Sequence, residues 1–432
     1  MSDTFAESRK MTSQDRELLS SLFAAAVAAA DPHKALAACL PAKPKGRTIV
    51  VGAGKGAAQL AAAFEDLWDG PVEGVVVTRY GYACPTRHIR VLEAAHPVPD
   101  EAGLVASDAL FAAVSDLGPD DLVVALICGG GSALLAAPAD GLTLADEVAL
   151  NKTLLASGAP IGAMNAIRKQ VSCIKGGRLA AAAHPARVIS LIVSDVPGDD
   201  PAQVASGPTV PDAVGRAEAR KALRDYGITL PEQIARYLAD TPEDAPSPDD
   251  PRFAGNEVHV IASAARSLEA AAEVVRAAGI EAVILSDAIE GEARDVARMH
   301  GAMAREVALR GRPFVAPIVM LSGGETTVTI RDKAGRGGRN SEFMLALALE
   351  IDGFSGIMAL AADTDGIDGS QDNAGAFADG ETVARMRQAG IDPAQLLVGH
   401  DAWTAFAAVD QLFFTGPTGT NVNDLRAILI RR

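Results

Sequence analysis

Aromatic side chains are scarce in this chain of 432 residues: phenylalanine, tyrosine and tryptophan make up 4% of the sequence, although 49% of it is hydrophobic. The core must therefore be built mainly from alanine, valine, leucine and isoleucine, which is typical of helices packed on buried parallel strands. The chain is also too long for one ordinary hydrophobic core, so two domains are expected.

Cysteine, histidine and positive charge are scarce as well. The four cysteines lie far apart without a C-x-x-C pair, and the seven histidines form no H-E-x-x-H motif, so neither a disulfide framework nor a zinc site is expected. The net charge of −16 argues against nucleic acids and anionic membranes as partners. The polar start of the chain lacks the apolar core of a signal peptide, and no apolar run reaches the length of a membrane span. We therefore expect a cytoplasmic protein with small-molecule partners.

Short apolar runs alternate with helical periods from Arg47 onwards, which predicts βαβ units. We expect an α/β fold with a Rossmann-like, mostly parallel sheet flanked by helices in residues 1–245. Residues 240–256 contain four prolines among acidic residues and are the predicted interdomain linker. A second α/β domain with a mixed sheet is expected over residues 255–432.

Two glycine-rich turns each follow a buried strand and open a helix, where backbone N–H groups and the helix dipole favour phosphate. The candidate residues are Gly54, Lys55 and Gly56 in VVGAGKGAA (50–58), and Gly129, Gly130, Gly131 and Ser132 in CGGGSALL (128–135). The first turn fits G-x-G-x-x-A, but a lysine lies inside it and the next strand ends in VVVTRYG, without an acid for a ribose hydroxyl. A tight turn with a solvated lysine and a plain helix cap are the alternatives.

Acidic and basic loops provide the other candidate residues. Asp195 directly follows the strand predicted at 187–193, where its carboxylate could hold Mg²⁺ or accept the proton of a substrate hydroxyl. Lys175 could bind a carboxylate, although a solvated helix face fits it equally well. The candidates in the C-terminal half are Gly324 and Glu325 in SGGETT (322–327), Arg339 and Asn340 in GRGGRNSEF (335–343), and Asp363 and Asp365 in ADTDGIDGSQDNAGA (362–376). A basic surface loop and an Asp/Gly turn are the alternatives there.

Together these segments resemble the glycerate 2-kinase family, and the C-terminal part is similar to its MOFRL domain. The motifs occur in the family's order: VVGAGKGA, AAHPVPDEAG, CGGGSALL, IKGGRLA, SDVPGDD…ASGPTVPD, LSGGETTV, GRGGRNSEF and ADTDGIDGSQDNAGA. The resemblance implies phosphorylation of D-glycerate at its 2-hydroxyl group by ATP and Mg²⁺, in a cleft between two α/β domains. It also implies that Lys55 and Arg339 are the active-site lysine and arginine. From their own positions after predicted strands, we expect Asp195 to be a base or metal ligand and Asp363 to be a second metal ligand.

Two other functions stay open. NAD(P)H-dependent reduction of hydroxypyruvate is supported by the G-x-G-x-x-A match and by Arg79, which would meet a 2′-phosphate. A ligand sensor without catalysis would use Lys55 and Arg339 only as anion anchors. Whether the chain acts as a monomer or a homodimer is also open.

Overall fold

The computed structural model describes residues 12–241, 244–330 and 335–431. They form two compact units, which divide at Asp31/Pro32 and at Ala262/Ser263. The parallel-sheet unit is Pro32–Ala262, and the mixed-sheet unit combines the described residues up to Asp31 with those from Ser263 onwards. The division therefore differs from the predicted domains 1–245 and 255–432, because the first part of the chain belongs with the C-terminal part.

The first helix, α1 (Ser13–Ala29), explains this difference. Its Leu19, Leu22 and Phe23 are buried in the same hydrophobic cluster as Leu268 of the mixed-sheet unit. Arg431, at the other end of the chain, donates from Nε to Oδ1 of Asp15 at 2.9 Å. All of these contacts link residues far apart in sequence, and Asp15 and Arg431 are 416 residues apart, so no local pattern could reveal them.

The parallel-sheet unit is built on six strands in the order β3-β2-β1-β4-β5-β6, all parallel. The strands are β1 (Thr48–Ala53), β2 (Glu73–Arg79), β3 (Ile89–Ala94), β4 (Leu122–Cys128), β5 (Arg187–Val193) and β6 (Glu257–Ala262). Every residue of β1 and β4 is buried, as expected for central strands covered on both faces. This arrangement confirms the Rossmann-like sheet.

Helices flank this sheet and connect its strands. They are α2 (Pro32–Ala37), α3 (Ala57–Leu67), α4 (Glu101–Ala113), α5 (Gly131–Leu134), α6 (Leu144–Ala156), α7 (Ile161–Arg168), α8 (Arg178–Ala183), α9 (Arg216–Asp225) and α10 (Glu232–Asp240). The proline-rich segment 240–256 leads from α10 to β6, which pairs with β5. That segment therefore lies inside this unit, and the chain passes to the other unit only after Ala262.

The mixed-sheet unit has a six-stranded sheet in the order β13-β12-β11-β14-β9-β7, and only β7 and β9 pair in parallel. Its strands are β7 (Glu281–Ser286), β9 (Ile318–Ser322), β11 (Ile357–Asp363), β12 (Gly375–Asp379), β13 (Leu412–Phe413) and β14 (Asp424–Ile430), and a separate short pair is β8 (Gly291–Glu292) with β10 (Thr326–Thr327). This confirms the expected mixed sheet.

The helices of the mixed-sheet unit after α1 are α11 (Ala264–Ala277), α12 (Ala293–Arg310), α13 (Arg339–Glu350), α14 (Thr382–Gln388), α15 (Pro393–Val398) and α16 (Ala402–Ala407). The central strands β11 and β14 are buried along their whole length. Within the described ranges, no helix is both long and apolar enough to cross a bilayer.

Candidate functional site

The carboxyl ends of the parallel strands bring several predicted residues to one edge of the sheet. Strands β1 and β4 are neighbours at the centre, where the order of the strands reverses, and ligands of open α/β sheets bind at such a point. Lys55 follows β1, the glycines 129–131 follow β4, and Asp195 follows β5. We refer to Lys55, His96, Gly129–Ser132 and Asp195 as the strand-end site.

The two glycine-rich turns of this site touch each other through their backbones. The N–H of Lys55 donates to the carbonyl oxygen of Gly129 at 2.9 Å. A Cβ atom on Gly54, whose φ is +135°, would lie 2.3 Å from the carbonyl oxygen of Cys128. A Cβ atom on Gly129 would lie 1.9 Å from Oδ2 of Asp195. Glycine is therefore required at both positions, and it allows the aspartate to approach the turn closely.

Lys55 and a histidine both lie close to the second turn. A Cβ atom on Gly130, where φ is +79°, would lie 3.0 Å from Cγ of Lys55 and 3.1 Å from Nε2 of His96. Burial lowers the pKa of His96 to about 4, with further lowering from the positive charges of Lys55 and Arg79. The imidazole is therefore neutral at neutral pH.

The thiol of Cys128 lies beneath the first turn. Sγ of Cys128 accepts the backbone N–H of Gly56 at 3.2 Å. Burial raises the pKa of Cys128 to about 12, and the negative charge of Asp195 adds to the rise. The thiol is therefore protonated at neutral pH and packs under the turn.

Ser132 is held by a buried polar chain that the sequence did not reveal. Its Oγ lies 2.8 Å from Oγ of Ser206, which donates to Oδ1 of Asn165 at 2.9 Å. Ser206 and its neighbour Ala205 have φ of 61° and 53°, a region that residues other than glycine rarely adopt. Such backbone strain is often found at functional sites, where surrounding contacts maintain it.

Lys175 does not join the strand-end site. Its side chain is buried, and Nζ donates to Oε1 of Glu147 at 2.6 Å and to the carbonyl oxygen of Leu135 at 2.9 Å. These contacts fit a structural ion pair within the unit better than the predicted binding of a substrate carboxylate.

The mixed-sheet unit has a second concentration of predicted residues, around Arg339 at the first position of α13. Its guanidinium group donates to Oδ1 of Asp424 at 2.8 Å, to Oδ2 of Asp363 at 2.6 Å and to Oε1 of Glu325 at 2.9 Å. Asn340 also donates to Oδ1 of Asp424, at 2.7 Å. About a quarter of the Arg339 side chain is exposed, so the group is oriented by carboxylates and still reaches the surface. We call these residues the arginine cluster.

Asp424 is the central acid of the arginine cluster, and no sequence motif had singled it out. Its side chain is completely buried, and Arg426 donates to Oδ2 at 2.5 Å on the side away from Arg339. Burial by itself raises the pKa of Asp424, but Arg339 and Arg426 outweigh it and hold the pKa below its usual range. The only sequence signal was a charged pair, Asp424 and Arg426, inside an otherwise apolar final strand.

The start of α13 is capped by a side chain from another loop. Asp368 accepts the N–H groups of Asn340 at 2.9 Å and Ser341 at 2.8 Å, and also the hydroxyl group of Ser341. A Cβ atom on Gly338 would lie 2.4 Å from Oδ1 of Asp368, so the glycine before Arg339 makes room for this cap. The GGRN motif is thus explained by packing as well as by charge.

The other predicted residues of this unit shape its loops. Gly324 has φ of +103°, and a Cβ atom there would lie 2.3 Å from the backbone nitrogen of Ile289. Asp365 donates its backbone N–H to Oδ1 of Asp363 at 3.0 Å and accepts the N–H of Ile367 at 2.8 Å. Asp365 therefore forms a local turn that supports Asp363.

The two acids predicted as metal ligands, Asp195 and Asp363, lie in different units. Both oxygens of Asp363 already accept hydrogen bonds, one of them from Arg339, so this residue fits the holding of Arg339 better than metal binding. In the part of the chain that the structure describes, no group of three or more His, Cys, Asp or Glu side chains could hold a metal ion. Mg²⁺ at phosphate sites usually needs only one or two carboxylates beside phosphate oxygens and water, and Asp195 fits that requirement.

Comparisons with known proteins find two family models that match different parts of the chain. Residues 18–239 match the family described as "Domain of unknown function (DUF4147)", and residues 318–424 match the MOFRL family. An Agrobacterium vitis protein named "Putative hydroxypyruvate reductase" is 52% identical over 96% of this chain and 94% of its own length. The "Glycerate 2-kinase" of Pyrococcus horikoshii is 39% identical over 95% of this chain and 96% of its own length. The crystal structure of glycerate kinase from Thermotoga maritima has a TM-score of 0.87 and 35% identity, and the match covers 97% of this chain and all of that one.

Proposed function

The chain belongs to the glycerate kinase family, in which DUF4147 and MOFRL domains occur together, and from this premise we propose that it phosphorylates D-glycerate. In the proposed reaction, the γ-phosphoryl group of ATP is transferred to the 2-hydroxyl group, giving 2-phosphoglycerate and ADP. A relative from Thermotoga maritima that is 37% identical over 91% of this chain is named "D-glycerate 2-kinase", which supports both the substrate and the position.

The observation that best supports this proposal is the placement of Lys55 against the Gly129–Ser132 turn at the switch point of the sheet. Phosphoryl transfer depends mainly on positioning and on the stabilisation of charge. Backbone N–H groups of the two turns would bind phosphate oxygens, and Lys55 would neutralise charge on the group being transferred. Asp195 would accept the hydroxyl proton or hold Mg²⁺. When bound, Mg²⁺ would neutralise charge on the ATP phosphates.

We propose that Arg339 is a phosphate-binding cation of the mixed-sheet unit. Its guanidinium is oriented by Asp424 and Asp363, and the geometry of a guanidinium fork suits phosphate oxygens. The exposed Glu325 is then the contact that a phosphate would replace most easily, because 53% of its side chain is accessible to solvent.

Hydroxypyruvate reduction is the second candidate, because a relative at 52% identity has that name. The strand β2 ends at Arg79 without a carboxylate for the ribose of NADH. The guanidinium of Arg79 lies 3.8 Å from the centroid of the Tyr82 ring. An NADPH site would depend on Arg79 alone for the 2′-phosphate, and the arginine cluster would have no role in it.

Product analysis separates the two candidates. We expect ADP to form only when D-glycerate, ATP and Mg²⁺ are all present, and phosphorus NMR of the product to show a phosphate ester at carbon 2. Oxidation of NADPH on addition of hydroxypyruvate, without any glycerate-dependent ADP, would overturn the proposal in favour of the reductase.

The Lys55→Ala variant tests the central residue of the proposal. We expect kcat to fall by about a hundredfold or more, because removing one preorganised group that stabilises transition-state charge typically costs that much. Lys43→Ala is the matched control, since this lysine is exposed and pairs with the exposed Asp69. Equal rates for the two variants would remove Lys55 from the mechanism.

We also propose that the protein acts in the cytoplasm. Its four cysteines are all free thiols, as a reducing compartment would keep them.

A further inference from the structure

His96 has no hydrogen-bond partner of its own, although it lies inside the strand-end site. Neither of its ring nitrogens is hydrogen-bonded to another side chain or backbone group within the described residues. It follows β3 at the carboxyl edge of the sheet, and its Nε2 points at the place where a Cβ atom on Gly130 would be. The residue is partly exposed, so a ligand can reach its ring.

A second histidine, His300, has a structural role and serves as a comparison for His96. His300 is buried in the mixed-sheet unit, and burial also lowers its pKa to about 4. Its Nδ1 donates to the carbonyl oxygen of Val296 at 2.8 Å, and its Nε2 lies 3.0 Å from Oγ of Ser322. His300 is therefore satisfied by the protein, as buried polar groups usually are. His96 is equally neutral, but within the described residues no protein group pairs with its ring nitrogens.

The charge state of His96 restricts what it can bind. A neutral imidazole has one N–H donor and one acceptor nitrogen. Lys55 and Arg79, on the neighbouring strand ends, favour this neutral form. The nearby acids on its own side of the sheet have other partners: Glu93 accepts the N–H of Gly81 at 2.6 Å, and Asp100 accepts that of Ala95 at 3.1 Å.

The acceptor nitrogen of the neutral ring can pair only with a ligand group that carries a hydrogen-bond donor. At neutral pH, the phosphate groups of ATP and the carboxylate of a hydroxy acid have no proton to donate to it. A hydroxyl group does, and the hydroxyl groups of glycerate are the donors next to the phosphoryl group being transferred, whereas the ribose hydroxyl groups and the adenine amino group of ATP lie at the other end of the nucleotide. A ligand hydroxyl is thus the chemical group that satisfies this nitrogen, while the phosphates pair with Lys55 and with the backbone N–H groups of the turns.

We propose that His96 accepts a hydrogen bond from a hydroxyl group of the hydroxy-acid substrate and thereby orients that substrate beside Lys55 and Gly130. The inference rests on the proposed function and extends it, because it assigns the recognition of the acceptor substrate to the segment that follows β3. Specificity for hydroxy acids over plain carboxylic acids follows, since an acid without the hydroxyl leaves the nitrogen unpaired.

Ligand binding can be followed directly at the ring. In protein labelled with ¹⁵N and ¹³C at histidine, the His96→Gln variant identifies the His96 signals among those of the seven histidines. We expect D-glycerate to shift these signals and leave those of His300 unchanged. Lactate, which keeps only the 2-hydroxyl group, and 3-hydroxypropionate, which keeps only the 3-hydroxyl group, then show which hydroxyl is bound. Propionate, which has neither, should cause no shift, and an equal shift with propionate would contradict the inference.

Kinetics provide the second readout. In His96→Phe, which keeps a ring without nitrogen atoms, we expect the KM for D-glycerate to rise about tenfold, the scale of one lost hydrogen bond, with the KM for ATP nearly unchanged. His96→Gln should recover part of the loss, because its amide oxygen is an acceptor. If the role of His96 were only structural, His96→Phe would instead lower the melting temperature and change the KM values for D-glycerate and ATP to the same extent.

The two proposals fail in different ways. If the wild-type protein forms no ADP from glycerate and ATP, the proposed function fails. If the wild-type protein is active but His96→Phe binds glycerate normally, only the assignment of His96 fails.

Discussion

Arg339 contacts three carboxylates that differ sharply in their surroundings. The side chain of Asp424 is fully buried, that of Asp363 is 6% exposed, and that of Glu325 is 53% exposed. A buried ion pair is costly to break because the remaining charge has no water around it, whereas an exposed pair contributes little. The orientation of Arg339 should therefore depend on Asp424 far more than on Glu325.

The Asp424→Asn variant tests this difference. We expect a loss of about 3 kcal/mol in the free energy of unfolding, because Arg339 and Arg426 would both lose a buried counter-charge. Glu325→Gln is the control and should cost less than about 1 kcal/mol, as exposed pairs do. Urea denaturation measures both variants. A similar loss of unfolding free energy in the two variants would show that burial does not determine how much each carboxylate contributes to the arginine cluster.

At the scale of elements, the start of α13 determines where Arg339 lies. The helix begins at Arg339, and Asp368 caps it through the N–H groups of Asn340 and Ser341. The cap comes from the loop after β11, and Asp363 is the last residue of that strand. One strand and its loop therefore set both the start of the helix and one carboxylate partner of its first residue.

Gly338→Ala should displace this cap. The added Cβ atom would lie 2.4 Å from Oδ1 of Asp368, so the carboxylate must move away from the helix. We expect a loss of about 2 kcal/mol in stability, the upper range for a lost cap, and a lower kcat because Arg339 shifts with the helix. Gly399→Ala is the control, since its nearest neighbour, the carbonyl oxygen of Gln395, lies at an ordinary 3.6 Å. Thermal melting and steady-state assays give both readouts, and unchanged values for Gly338→Ala would refute the role of the cap.

At the scale of the whole molecule, the mixed-sheet unit is made from two separated parts of the chain. Helix α1 buries Leu19, Leu22 and Phe23 against α11 and the sheet. Ser267 in α11 donates its hydroxyl group to the carbonyl oxygen of Ala26 at 2.8 Å, which fixes the end of α1. The core of this unit is therefore incomplete without the first part of the chain.

Leu22→Ala tests the contribution of α1. The side chain is completely buried, so we expect a loss of about 2–5 kcal/mol, the usual cost of such a truncation in a core. Leu155→Ala is the control, because Leu155 is 62% exposed and should lose less than about 0.5 kcal/mol. Chemical denaturation, followed by a signal from the mixed-sheet unit, measures the stability of both variants. Equal stability of both variants would mean that α1 is not part of the core.

Local patterns were sufficient for much of the fold. Buried strands such as β1 and β4 appear in the sequence as short apolar runs, and each glycine-rich turn lies where such a run ends. The resemblance to a family added the function and the roles of Lys55 and Arg339, while the phosphate-binding character of the turns followed from their own residues.

The remaining features depend on contacts between residues distant in sequence. Local patterns could not reveal that α1 packs with α11, nor that β6 joins the first sheet beyond a proline-rich segment that resembles a linker. Asp424 is 85 residues from its partner Arg339, and His96 is 34 residues from Gly130.

The sequence by itself determined the α/β class, the two sheets and the positions of the glycine-rich turns, because these depend on apolar periodicity and on local backbone freedom. Only the tertiary structure decided which polar residues are already satisfied by a partner, as Lys175 is by Glu147, and which still lack one, as His96 does. The physical reason is that hydrogen bonding and burial are properties of the surroundings in space, which the order of residues along the chain does not specify.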